Sequence, residues 1–142
     1  MKSLLLPVFL CVAGAARADF DVPCPESIVV SQQLAQPVET WEGMDARRDQ
    51  RHRLRAAAFY DGHPGQMAQL REARFKRANG SGGVDILTFK FSASYPDGIW
   101  LACLYEDTSV IVARKLPQDS IACEITYTRR RPPAPVLTTR CK

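Results

Sequence analysis

Four cysteines that follow an apolar leader constrain the fold of this chain more than any other feature of its sequence. Leu4 to Ala16 is an apolar run of 13 residues after a basic start, and the small residues Ala16 and Ala18 have the spacing that signal peptidase accepts. The run is too short to cross a bilayer as a helix. We therefore predict a signal peptide over residues 1–18, cleaved after Ala18, and one exported globular domain over residues 19–142 without a transmembrane segment.

The cysteines that remain after this cleavage are even in number: Cys24, Cys103, Cys123 and Cys141. An even count behind a signal peptide favours two disulfides in an oxidising compartment, which we expect to be the bacterial periplasm. A zinc site is disfavoured, because the sequence has no Cys-x-x-Cys pair and neither histidine has a cysteine close to it in sequence. We therefore predict neither a metal nor a cofactor.

The charge of the exported part is nearly balanced. Removing the leader leaves 17 of the 19 Lys and Arg against 15 Asp and Glu, a side-chain sum of +2. This sum is too small to predict a nucleic-acid partner. Arginines do cluster over residues 47–55, and Arg47, Arg48 and Arg51 are candidate contacts for an acidic partner. Acidic residues lie between them, however, and this pattern is more typical of an ordinary solvated surface.

The pattern of apolar residues predicts a mainly β domain of the α+β class. Alternating or β-branched segments bounded by turn residues indicate strands over residues 27–34, 53–60, 84–91, 99–105, 109–116, 121–128 and 136–141. A narrow apolar stripe predicts one short helix over residues 66–77. Short turns join the strands at 99–105, 109–116 and 121–128, so we expect a C-terminal antiparallel meander. The result is a single small antiparallel sheet or a sandwich-like domain with two disulfides.

Strand spacing leaves the disulfide pairing open but favours one arrangement. In the meander, Cys103 and Cys123 lie two strands apart, or about 9.5 Å, whereas a disulfide needs Cα atoms within about 7 Å of each other. A return strand beside residues 121–128 would bring Cys141 close to Cys123 and leave Cys24 for Cys103. The pairing of Cys103 with Cys123 stays open if the third strand pairs on the far side of the first.

The sequence contains no hydrolase, zinc-protease, nucleotide-loop or calcium-loop motif. Of the two histidines, His52 is expected to be solvated within the basic segment. His63 lies in the Asp61–Gly65 turn, where Asp61 and His63 are candidate partner contacts, although the turn is more simply a connection between two elements. Trp100 lies in a strand that is apolar on both faces and is predicted to anchor the core of the sheet or the layer that faces it. The sequence names no catalytic residue, so an enzyme is the least favoured class.

Several short motifs resemble a family of small exported bacterial proteins that is named after an enterobacterial locus tag and has no assigned activity. The motifs are Cys24-Pro25 before a β-branched strand, the turn Asp61-Gly62-x-Pro64, and Trp100-x-x-Cys103-x-Tyr105. The resemblance covers nearly the whole exported part. The locus lies near a contact-dependent secretion island, so the resemblance implies a role in toxin neutralisation.

These observations define two hypotheses about function. In the first, the chain is a non-catalytic periplasmic binding protein, an inhibitor or immunity-type protein that blocks another envelope or secreted protein. A disulfide-fixed sheet suits that role, because preorganisation lowers the ordering cost of association. In the second, the chain is envelope-associated and binds anionic glycan or lipid through basic patches, and its retention then depends on salt. The sequence leaves the oligomeric state open.

Overall fold

The computed structural model of the chain describes residues 18–46, 50–77, 83–91, 95–128 and 136–142. Within these ranges the chain forms nine strands and one 3-10 turn at Pro64–Gln66. The strands are β1 (Phe20–Asp21), β2 (Ser27–Val29), β3 (Arg51–Asp61), β4 (Arg74–Lys76), β5 (Val84–Lys90), β6 (Ile99–Tyr105), β7 (Ile111–Lys115), β8 (Ala122–Thr128) and β9 (Val136–Cys141). None of the helical segments in the described ranges has the length and apolar character needed to cross a membrane.

The strands form two antiparallel sheets that pack face to face. The five-stranded sheet has the order β1-β9-β8-β5-β4, and the four-stranded sheet has the order β2-β3-β6-β7. Phe59 and Leu101 of the four-stranded sheet share a core with Phe89 and Ile125 of the five-stranded sheet. The rings of Phe59 and Phe89 meet edge to face with their centroids 4.8 Å apart. The predicted mainly β, sandwich-like fold is confirmed.

Two disulfides fix this sandwich, and their pairing is the one that strand spacing favours. Cys123 and Cys141 lie directly opposite each other on the neighbouring strands β8 and β9, with Cα atoms 4.1 Å apart. Cys24 joins Cys103 of β6 with a Cα separation of 5.8 Å. The second bridge ties the N-terminal segment to the centre of the four-stranded sheet.

The predicted C-terminal meander is wrong in its last strand. β6 and β7 do pair, but β8 leaves their sheet and pairs with β5 and β9 in the other one. The crossing occurs at the Pro117–Ser120 turn, directly after the buried Leu116. β8 has one apolar face formed by Cys123, Ile125 and Tyr127, and that face is buried only when it closes the sandwich.

The predicted helix over residues 66–77 is also wrong. Residues 64–66 form a single 3-10 turn, and Arg74–Lys76 is an edge strand paired with β5. Of the residues that suggested the apolar stripe, Met67 is 83 % exposed, whereas Phe75 lies opposite Leu87 of β5. Tertiary pairing therefore overrides a helix propensity that a narrow stripe supports only weakly.

Candidate partner-binding site

The segment that follows β3 is a tight loop with a defined backbone. Gly62 has a φ of +72°, which favours glycine, and its amide donates to the Gly98 carbonyl over 2.8 Å. A Cβ at this position would collide with the side chain of Gln66. The sequence placed a glycine-containing turn here, and the structure shows why the glycine is needed.

The same loop folds back along β3 instead of extending into solvent. Its 3-10 turn is capped by His63, whose Nδ1 accepts from the Gly65 amide over 3.1 Å. The Asp61 amide then donates to the Ala68 carbonyl over 2.9 Å, and the Leu70 amide donates to the Phe59 carbonyl over 2.8 Å. These bonds attach both ends of the loop to the edge of β3, so its exposed side chains start from a preformed backbone.

His63 is exposed and stands against Trp100, with ring centroids 4.9 Å apart and an angle of 74° between the planes. Because Nδ1 accepts a hydrogen bond, a neutral His63 ring carries its proton on Nε2. Trp100 is only half-buried, since it alternates with the buried Ile99 and Leu101 and points to the outer face of the four-stranded sheet. The prediction that Trp100 anchors the core is therefore wrong.

The predicted contact residues do not form one cluster. Asp61 and His63 lie at the C-terminal end of β3, and Arg51 is exposed at its N-terminal end. Ten residues of extended strand separate Asp61 from Arg51, or about 33 Å at the usual rise per residue. Arg47 and Arg48 lie outside the described residues. The structure thus separates the loop from the basic segment as two surfaces.

His52 is buried, contrary to the prediction that it is solvated. Its side chain is 2 % exposed, and its Nδ1 lies 2.7 Å from the Glu106 carbonyl oxygen, to which it donates. His52 and Leu54 alternate with exposed arginines along β3, so both face the interior. The sequence does show this alternation, but the many arginines of the segment favour an interpretation in which all of its residues are solvated.

Within the described ranges, no group of three or more His, Cys, Asp or Glu side chains lies close enough together to hold a metal ion. The four cysteines of these ranges are all in disulfides.

By its structure, this chain is a small disulfide-bonded β-sandwich protein with a preformed surface loop. Residues 48–142, which include β3 to β9, match the family model described as Type VI secretion system Tli immunity protein. The chain belongs to this family. No curated protein and no solved structure matches it.

The family confirms the hypothesis of a non-catalytic, immunity-type protein that binds and blocks a partner. It also agrees with the expected resemblance at the level of a family of small bacterial proteins. The family description does not name the residues that contact the blocked partner.

Proposed function

We propose that this chain is an exported immunity protein that binds and blocks an effector of a type VI secretion system in the periplasm. The match to the Tli immunity family over residues 48–142 carries this proposal, because the matched part includes strands of both sheets and most of the buried core between them. A protein of this kind acts by occupying a surface, so it needs a stable scaffold and no catalytic group.

The two disulfides support the periplasmic location. Disulfides form and persist in oxidising compartments, and the described residues hold two of them, with sequence separations of 79 and 18 residues. We infer that residues 1–18 direct the export and are removed after Ala18. Residues 1–17 lie outside the described part of the chain, so this step rests on the leader pattern alone.

We infer further that the Asp61–Ala68 loop contributes to the contact with the effector. Its ends are already hydrogen-bonded to β3, so little backbone freedom is lost on binding. His63 offers a ring donor and Asp61 a carboxylate, two groups that recognise polar atoms with directional bonds. The segment with Arg47, Arg48 and Arg51 is a second candidate contact and suits acidic groups.

The test needs a candidate effector, which is sought among the toxin genes that neighbour this chain's gene and is produced in the periplasm of a sensitive host. The full chain should restore growth, whereas a chain without residues 1–18 should leave the host sensitive because it stays in the cytoplasm. The exported product should begin at Asp19 and show no free thiol by alkylation and intact mass. Purified effector and exported chain should form a stoichiometric complex that survives moderate salt.

Two outcomes would contradict the proposal. Failure of the full chain to restore growth, together with no complex between the purified proteins, would show that the chain is not the immunity partner of this effector. Salt-dependent retention on an anionic matrix, in place of a stoichiometric complex, would favour the envelope-associated alternative.

A further inference from the structure

A long connection joins β2, which ends at Val29, to β3, which begins at Arg51. Its described part, residues 30–46, forms no strand or helix. The Val30 amide donates to the Gln50 carbonyl over 3.0 Å and so holds the two ends of the connection together. Connections of more than about 12 to 15 residues without regular structure are uncommon in compact domains and are often functional. The length of this connection therefore makes it a candidate for a binding role.

Most of this connection is a closed loop over residues 32–45. The Gln32 amide donates to the Asp45 carboxylate over 3.2 Å, so the first and last residues of the loop are bonded to each other. A Cβ at Gly43 would collide with the side chain of Leu34, which shows that Leu34 packs directly on the Gly43 backbone. A loop whose ends meet and which is packed by its own side chains is an Ω-loop. The Ω-loop of residues 32–45 thus has a defined shape before it meets another molecule.

The Ω-loop leaves its large apolar side chains in water. Trp41 is 77 % exposed, and more than half of the side chain is also exposed at Leu34, Val38 and Met44. Single exposed apolar residues are ordinary, but four of them in one loop form a patch, and such a patch commonly marks an interaction site. Tryptophan is also among the residues that dominate the binding energy of protein interfaces. The Ω-loop therefore has the composition of a contact surface.

The apolar side chains border a hollow in the Ω-loop. Leu34, Val38 and Trp41 line this open hollow, whose volume is about 590 Å³. Two carboxylates, those of Glu42 and Asp45, line it as well. The Asp45 carboxylate accepts from the loop backbone, whereas Glu42 is exposed. The hollow therefore combines apolar walls, an aromatic ring and an exposed carboxylate.

This combination suits a long basic side chain. Lysine and arginine bury their methylene stems along apolar surface, their cationic ends are attracted to the face of a tryptophan ring, and they form charge-assisted bonds with carboxylates. Residues 30–46 contain three acidic residues and no basic one, although Lys and Arg outnumber Asp and Glu in the chain as a whole. Because carboxylates repel anionic lipid, this charge favours a protein with exposed basic residues over a membrane.

We propose that the Ω-loop is a recognition contact for the effector and that its hollow receives an arginine or lysine side chain of the effector beside Trp41 and Glu42. This inference rests on the proposed function, since it assigns a surface through which the effector is bound. The family match begins at residue 48 and does not include the Ω-loop. A rigid sandwich that carries a binding loop is a common arrangement in proteins that recognise other molecules.

The Ω-loop can be tested separately from the Asp61–Ala68 loop. The Ω-loop precedes the N-terminal end of β3, whereas the Asp61–Ala68 loop follows the C-terminal end of the same strand. The two ends of β3 lie about 33 Å apart at the usual rise per residue. Substitutions in one loop therefore leave the other loop intact.

The first experiment measures binding of the purified candidate effector to variants of Trp41. Trp41→Ala should weaken binding by at least about 30-fold, as for a central contact, and Trp41→Phe, which keeps an aromatic face, should lose less. Ile121→Ala removes a side chain that is 45 % exposed outside the Ω-loop, and this control should bind within about threefold of the parent. Because Trp41 is mostly in water, the urea midpoint of its variants should match that of the parent.

Glu42→Gln is an independent test of the charge. It keeps the size of the side chain and removes the carboxylate, so binding should weaken by about tenfold at low salt, and the difference should shrink as salt is added. Glu72→Gln makes the same change at an exposed glutamate outside the Ω-loop and should bind like the parent. An equal loss in the two variants would show that only the net charge of the chain matters and would overturn the pairing with Glu42.

The outcomes separate this inference from the proposed function. Undiminished binding of the effector by both Trp41→Ala and Glu42→Gln would overturn the Ω-loop contact and leave the immunity function intact. Weaker binding by Trp41→Ala alone would overturn the basic side chain as the occupant of the hollow. No binding of the effector by the parent would overturn both the inference and the proposed function.

Two other occupants of the Ω-loop would give a different result. The same variants are therefore tested for retention on vesicles of phosphatidylethanolamine and phosphatidylglycerol and for self-association by sedimentation. If Trp41→Ala abolishes either property of the parent and leaves effector binding unchanged, the Ω-loop binds a membrane or a second copy of this chain, and the inference is wrong.

Discussion

The Tyr127 hydroxyl bonds both backbone groups of Ala57 across the two sheets, donating to the carbonyl oxygen over 3.4 Å and accepting from the amide nitrogen over 3.3 Å. β2 pairs only with residues 51–53 of β3, so the rest of that edge needs other partners. The loop after β3 bonds the edge at Phe59 and Asp61. The Tyr127 hydroxyl of the opposite sheet therefore supplies the hydrogen-bond partner for the backbone amide and carbonyl of Ala57 in the middle of this edge.

Tyr127→Phe is expected to lower the free energy of unfolding by about 1 to 3 kcal/mol, because it leaves buried backbone groups of Ala57 without their partner. The ring and its packing stay. Urea denaturation measures the effect, and Tyr60→Phe, which removes a hydroxyl from the outer face of the other sheet, is the control. An equal loss for the two variants would show that the bond across the sheets contributes nothing of its own.

Stability should also fall at alkaline pH. Burial raises the pKa of the Tyr105 and Tyr127 hydroxyls above the ordinary 10.0, and for Tyr127 the bond to Ala57 opposes this in part. The unfolded chain then ionises first, so the stability due to these groups is complete below pH 10 and is lost as pH rises further. Each group contributes a slope of at most about 1.4 kcal/mol per pH unit. Urea midpoints of the parent should fall in this range more steeply than those of the Tyr105→Phe, Tyr127→Phe variant, and parallel curves would contradict the assignment.

Much of the strand content could be predicted from the sequence, because alternation and turn residues act locally. The Tyr95–Gly98 turn is an example, since its Gly98 amide bonds the Tyr95 carbonyl over 2.9 Å and Gly98 takes the positive φ of +78° that glycine allows. The bridge between Cys123 and Cys141 could be predicted for a similar reason, because a strand that returns beside β8 places the two cysteines opposite each other.

The assignment of strands to sheets could not be predicted in the same way. β8 follows β7 after a short turn, and neighbouring strands usually pair, but here the apolar face of β8 closes the sandwich opposite Phe59. Ala58, Ala102 and Ala113 likewise come from three separate strands, and only the register places them side by side.

The two disulfides should differ in their effect on stability. In the chain-entropy account, a bridge that closes 79 residues restricts the unfolded chain more than one that closes 18, and the expected contributions are about 4.5 and about 3.2 kcal/mol. We therefore expect the Cys24→Ser, Cys103→Ser variant to lose more stability than the Cys123→Ser, Cys141→Ser variant. Urea unfolding of both variants measures the difference, and the reverse order would contradict this account.

Trp100 and Leu101 are adjacent in β6 but point to opposite faces of the sheet. Leu101 is 2 % exposed in the core, so Leu101→Ala is expected to cost about 2 to 5 kcal/mol. Trp100 is half-buried against His63, and Trp100→Ala should cost about 1 to 2 kcal/mol, mostly the aromatic contact and its partial burial. Unfolding midpoints at unchanged denaturant slope give both values. A larger loss for Trp100 would place it in the core after all.

The loop after β3 offers the most direct test of a contact that leaves the scaffold intact. Asp61→Ala with His63→Ala removes the two polar side chains while the bonds from the Asp61 amide and to the Phe59 carbonyl remain, because they are backbone bonds. Only the cap from His63 to Gly65 and the ring contact with Trp100 are lost, so the free energy of unfolding should fall by no more than about 1 kcal/mol.

Binding of the effector by this double variant should weaken by about tenfold or more if the loop contributes to the contact. Calorimetric titration of the purified proteins measures the affinity, and Glu124→Ala with Thr138→Ala on the outer face of the five-stranded sheet is the matched control, which should bind like the parent. Because the loop ends are attached to β3, a lower affinity at nearly unchanged stability reports a lost contact and not a disordered backbone. If the double variant binds as tightly as the control, the loop is only a connection, and the contact search moves to the basic surface around Arg51.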